Sequence, residues 1–316
     1  MNNQINNGVA VVLRTIIYYD IFNYPLTEND IMNNCGLSNT SSKPCSNALK
    51  YLVDENIVYK LGDYYSLTNN QTAVDRRIKG NKEAEKWLRK SRRFSRLISW
   101  FPFVRGISLS GSLSKGFVDE DPDIDYFIIT KPNRLWIART LLIGFKKIFL
   151  LNSYKYFCLN YFVTQESMEI EEKNLFTATE ITTMIPVFGN NVKRSFFESN
   201  QWIREFFPNF EINVREDVPY NRTGTLKRLF EYFLAGKLGD RLDARFMKKT
   251  MNHWARKFGE QFSEEDFLLS FKSGKNISKH HPQHFQKRVL EQFNNKLKEI
   301  EEQHKIELGK IRVELN

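Results

Sequence analysis

Apolar residues recur along the chain in rhythms that change from one stretch to the next. Residues 8–22 (GVAVVLRTIIYYDIF) are almost continuously apolar, which predicts a mostly buried helix stopped by Pro25. Thr27 with Glu28 and Asp30 reads as the cap and acidic first turn of a second, short helix that Gly36 ends. Residues 41–55 predict a third helix with Ala48, Leu49, Leu52 and Val53 as its apolar stripe. Two short runs, 57–61 and 64–67, flank Gly62-Asp63 and predict a tight β-hairpin. Residues 68–84 are polar and read as a connection. Residues 82–99 then predict a basic amphipathic helix, with Trp87, Phe94, Leu97 and Ile98 inward and Arg89, Lys90, Arg92, Arg93 and Arg96 mostly outward.

The rhythm next switches to a period of two. Ile107 and Leu109 alternate with Ser108 and Ser110, predicting a strand that Gly111-Ser112 breaks. Ser112 to Lys115 read as the first turn of a helix. Residues 123–129 predict a second strand. Beyond Pro132, residues 134–151 predict a buried crossover helix, 156–164 a strand and 173–187 a helix. From there the pattern is mainly helical: 194–207, one or two segments in 224–259, and 285–311, with Phe285, Val289, Leu290, Phe293, Leu297 and Ile300 at roughly helical spacing.

The chemistry concentrates in residues 108–129. Glycine at 111 lets backbone approach a ligand, and the free N–H groups of the turn 112–115 suit a phosphate. The Lys115 ammonium can reach the same anion. On the following strand Asp123 and Asp125 are two apart and share a face, while Ile124 points into the core. Neighbouring carboxylates repel unless a cation lies between them, and Mg²⁺ (or Mn²⁺) favours carboxylates combined with substrate phosphates.

Gly111-Ser112, the gap to Asp123-x-Asp125 and the apolar residues after it resemble the signature of the DNA polymerase β-like nucleotidyltransferase superfamily. The resemblance covers residues 85–190. It implies an α/β (α+β) core with a short mixed sheet and flanking helices. It also implies metal-dependent transfer of an NMP from an NTP, with release of pyrophosphate. Asp123 and Asp125 would hold the metal, and Gly111, Ser112, Ser114 and Lys115 would cradle the phosphates. Family members place a third carboxylate on the next strand, where this chain has Asn160. Glu166, Glu169 and Glu171 are candidates to replace it, and Glu180 lies on the helix beyond.

Three predicted helices followed by a hairpin resemble a winged helix-turn-helix module. Its third helix carries only Lys43 and Lys50 as cations and its hairpin only Lys60, opposed by Asp54, Glu55 and Asp63, so a packing role is favoured over DNA binding. The expected domains are residues 1–75, a winged-helix-like module; 76–190, the transferase core; and 191–316, a basic helical region.

Composition narrows this only modestly. The 316 residues carry 47 Lys+Arg against 37 Asp+Glu, a net charge of +10, which favours an anionic partner such as nucleic acid, a nucleotide (an NTP) or an acidic membrane face without choosing among them, the basic C-terminal half leaning toward RNA. Three separated cysteines, Cys35, Cys45 and Cys158, give no disulfide framework or metal cluster by spacing. No secretory signal is evident, so the expected compartment is the cytoplasm. Arg139, Lys146 and Lys147 argue against a membrane span at residues 135–151. The 273–284 segment is rich in Gly, Ser, Lys and His and reads as a loop, basic enough to contact an anion. The acceptor stays open between an RNA end, a protein and a small molecule. The competing class is a DNA-binding regulator or nucleotide sensor with a degenerate transferase domain.

Overall fold

The computed structural model describes residues 3–36, 43–212, 224–280 and 285–305. It is a mixed α+β protein with an open five-stranded mixed sheet and a separate three-stranded antiparallel sheet. No helix of the described residues is long and apolar enough to cross a membrane.

The N-terminal part comprises α1 (Asn3–Asp20), β1 (Leu26–Thr27), α2 (Glu28–Asn34), α3 (Lys43–Asp54), β2 (Tyr59–Leu61) and β3 (Tyr64–Ser66). Thr27 caps α2 as expected: its hydroxyl accepts from the Asp30 N–H at 3.2 Å, and its own N–H donates to the Asp30 carboxylate at 2.8 Å. The hairpin turns at Gly62, which has φ of +63°. Val12, Leu13, Ile16 and Ile17 of α1 pack on Leu49 and Leu52 of α3.

The predicted connection at 68–84 is instead helical over most of its length. α4 runs unbroken from Gln71 to Ser99, because Ala73, Val74, Arg77, Gly80 and Ala84 give it one buried stripe. Its first turns hold the N-terminal part in place. Arg77 donates to Asp30 at 2.7 Å and lies over the rings of Tyr24 and Tyr64.

The larger sheet has strand order β7-β4-β5-β6-β8, with β7 (Ile185–Phe188) and β8 (Ile277–Lys279) at its two edges. β4 (Val104–Ser110) runs antiparallel to β5 (Asp125–Thr130), and the four-residue helix α5 (Gly111–Ser114) follows β4 directly. α6 (Leu135–Phe149) crosses over to β6 (Cys158–Thr164), which is parallel to β5. β5 is buried on both faces, as a central strand should be. Tyr126 and Ile128 pack toward α4 and α6, while Phe127 and Ile129 pack toward α7 (Leu175–Thr183) and α8 (Asn190–Ser199).

The helix predicted over 173–187 ends at Thr183. Ile185–Phe188 form an edge strand, β7, antiparallel to β4. Pro186 is tolerated there because an edge strand leaves one row of backbone groups unpaired. A 3-10 turn, Gln201–Glu205, follows α8. Then come α9 (Thr225–Phe233), α10 (Lys237–Phe258) and α11 (Glu264–Ser270). The 273–284 segment is not all loop: β8 (Ile277–Lys279) adds to the other sheet edge beside β6. His281 and His284 lie outside the described residues. α12 (Phe285–His304) returns to the start of the chain, and its Val289, Phe293 and Ile300 complete the core around α1.

The region after residue 190 is pinned to the sheet by buried charge. Arg134 donates to the carbonyls of Leu234 and Ala235 and pairs with Asp240 at 2.6 Å. Asp243 of α10 accepts from the N–H of Ile137 at 2.9 Å, capping α6 from outside. The buried Lys227 donates to the carbonyls of Ser99 and Val104, and burial pulls its pKa down to about 8.

Candidate functional site

The topology brings residues 108–129 to one point. Ser110, the last residue of β4, pairs with Asp125, the first of β5. Gly111 therefore sits directly against the Asp125 carboxylate, where any Cβ would collide with it. Its φ of +68° further restricts the position to glycine. Asp123 precedes the strand rather than lying in it. Backbone pairing nevertheless continues through Ile124, whose N–H donates to the Lys155 carbonyl at 3.1 Å and whose carbonyl accepts from the Cys158 N–H at 3.1 Å. Ile124 is fully buried, and Asp123 and Asp125 both line one cleft, as the alternation requires.

That cleft has a volume of about 610 Å³. Gly111, Ser112, Asp123, Asp125 and Asn160 all open onto it. Asn160 does occupy the place next to the acid pair: its Nδ2 donates to Asp125 Oδ1 at 2.8 Å. A third ligand-type group stands beside the pair. One carboxylate oxygen each from Asp123 and Asp125 and the Cys158 sulfur all lie within 4.8 Å of one another. Burial raises the pKa of Asp123, and burial plus the Asp123 charge pushes Asp125 up to about 7. Burial, reinforced by the Asp125 and Asp123 charges, pushes the Cys158 thiol up as well. All three groups thus resist carrying negative charge alone, and a divalent cation among them would relieve that resistance.

The predicted anion turn is present but engaged. The Lys115 ammonium pairs with Glu180 Oε1 at 2.6 Å, and the Gly111 N–H points to Glu180 Oε2 at 3.4 Å. Ser114 is buried, donates to the Gly111 carbonyl at 2.8 Å and opens onto neither of two neighbouring cavities. Glu166, Glu169 and Glu171 do not line the cleft. All three are exposed, with Glu169 paired to Lys173 and Glu171 to Lys272.

Sequence reasoning passed over two groups that the fold delivers. Cys158 stands two residues before Asn160 on the same strand face, a signal that alternation alone could have raised. Glu180 had no such signal, because its position depends on where α7 packs against the sheet. Comparison with protein-family models finds no match to the chain, and neither does comparison with curated proteins or with solved structures.

Proposed function

We propose that the protein is a metal-dependent nucleotidyltransferase that moves an NMP from an NTP to an acceptor and releases pyrophosphate. The observation that carries this reading is the contact between Gly111 and Asp125. It sets an anion-binding turn against a half-buried, cation-seeking pair of carboxylates at the mouth of one cleft. Asp123 and Asp125 fit a divalent cation: both are carboxylates on one face, and both are disfavoured as bare charges. When bound there, Mg²⁺ or Mn²⁺ supplies charge neutralisation of the phosphates and of the leaving pyrophosphate.

The chain's own groups do the rest. Gly111 and Ser112 offer backbone N–H groups and a hydroxyl to the phosphates, and Lys115 adds an ammonium once it leaves Glu180. Asn160 holds the Asp125 carboxylate in orientation by its hydrogen bond. The acceptor nucleophile attacks the α-phosphorus in line as the bond to pyrophosphate breaks. Candidate acceptors are an RNA end, a protein group or a small molecule.

Asn160 also favours a second reading. A neutral amide beside Asp125 supplies no third charge, which fits a nucleotide-sensing domain without turnover. Incubation with the four α-³²P NTPs, Mg²⁺ or Mn²⁺ and fractionated bacterial lysate separates the two. Label transferred by wild type but not by Asp125→Asn supports the transferase. Nucleotide binding without transfer supports the sensor.

A further inference from the structure

A second cavity, of about 300 Å³, lies beside the first and shares Gly111, Ser112 and Glu180 with it. Lys115 opens onto this second cavity, whereas Asp123 and Asp125 open only onto the larger cleft. The turn 111–115 thus separates two chambers of different character. The larger holds the acid pair. The smaller is walled by aromatic rings from the N-terminal part and from the segment after α5.

Tyr18 and Phe22 come from α1 and the turn after it, Tyr24 from the next residues, and Phe117 from beyond α5. Tyr24 and Phe117 meet edge to face at 5.4 Å, and the Arg76 guanidinium lies over Phe117 at 4.8 Å. Tyr18 is 3% exposed, and its ring closes the inner wall of the chamber.

We propose that this aromatic chamber is the nucleobase pocket of the donor nucleotide. The inference rests on the nucleotidyltransferase reading of the larger cleft. Flat apolar rings and a guanidinium are what a planar heteroaromatic ring with a polar edge requires. The chamber adjoins the anion turn, as a base must when its phosphates lie on 111–115. The α-phosphorus would then face the acids, and the larger cleft stays open for the acceptor. The N-terminal part accordingly serves as one wall of the donor site, which explains why its cations are too sparse for a duplex reader.

The test is calorimetric binding to the full-length chain, with Mg²⁺, of tripolyphosphate and of ATP, GTP, CTP and UTP. Tripolyphosphate reports the anion turn alone, and the excess affinity of an NTP reports the base. At least one NTP is expected to bind about tenfold or more tightly than tripolyphosphate, in line with base–aromatic stacking. Phe117→Leu should remove most of that excess and leave tripolyphosphate affinity unchanged. Phe22→Leu, which removes a half-buried ring of the same wall, should lower NTP affinity roughly fivefold and leave tripolyphosphate affinity unchanged. NTPs binding no better than tripolyphosphate, or an excess that survives both variants, would overturn the base pocket alone. Failure of tripolyphosphate and every NTP to bind would overturn the transferase reading and the pocket with it.

Discussion

Two carboxylate clusters line the same cleft, and the fold treats them in opposite ways. At one end Glu172 is buried with the Lys272 and Lys279 ammoniums at 3.4 and 3.6 Å. Burial alone would raise its pKa, but those two cations hold it below the usual range. At the other end Asp123 and Asp125 have each other, a thiol and an amide, and their pKa values rise. Lys115, the cation nearest in the sequence motif, is turned to Glu180 instead. The contrast separates a carboxylate that the fold flanks with cations from a pair that it does not. Buried ionisable groups with internal partners are structural; those without one mark where a ligand completes the site.

Mutation should pull the two clusters apart. The largest effect expected is on turnover: Asp125→Asn should lower label transfer on the order of a thousandfold or more, because a neutral amide cannot anchor a cation. The same variant should melt no lower than wild type, since it removes a repulsion rather than a partner. Scanning calorimetry beside the transfer assay checks both. Glu172→Gln should behave in the reverse sense. It leaves the buried Lys279 ammonium without a carboxylate, while Lys272 keeps Glu171, and should cost about 3 kcal/mol in urea unfolding.

Gly111→Ala probes the seam between the anion turn and Asp125. Its Cβ would collide with that carboxylate at a backbone φ of +68°, so about 2 kcal/mol of stability should be lost. Addition of Mn²⁺ should raise the melting temperature of wild type more than that of this variant.

The smallest effect concerns pH. The folded-state pKa of Asp125, about 7, exceeds that of an unfolded Asp, so the folded state binds the extra proton. The stability that proton provides is present below about pH 4 and drains away as pH rises toward 7. Glu172 has the opposite sign. Its contribution is present above the unfolded Glu value and is lost as pH falls through its lowered folded value. Asp125→Asn should therefore flatten the decline between pH 4 and 7, and denaturation curves at several pH values would reveal it. An unchanged slope would mean that Asp125 is not the group responsible.

Much of this was legible before any coordinates. The alternation around Ile107 and Leu109, the break at Gly111 and the two-residue spacing of Asp123 and Asp125 report local geometry, and local geometry is what periodicity encodes. The helices and hairpin of the N-terminal part were legible for the same reason. Three features were not. The stripe of Ala73, Val74, Arg77 and Gly80 holds one larger aliphatic residue, with an alanine, a charge and a glycine at its other positions, so its burial barely registers in a hydrophobic count. β7 contains Pro186 and β8 is three residues long; both sit at sheet edges, where strand signals are weakest. Glu180 reaches the acids through the packing of its helix on the sheet, which no spacing within its own segment records; only Cys158, two residues before Asn160, had a local signal.

α12 closes the core around α1, and β8 completes the sheet from beside it. The order of synthesis therefore opposes the order of assembly. When α1 and α3 leave the ribosome, the third wall of their core is still more than two hundred residues away, at Val289 and Phe293. The N-terminal helices must wait, partly uncovered, until the last described helix arrives. Contacts that span the chain in this way slow folding and lengthen the exposure of apolar surface. A nascent chain stalled before residue 285 should thus be a ready client for chaperones, and one extended past residue 300 should not.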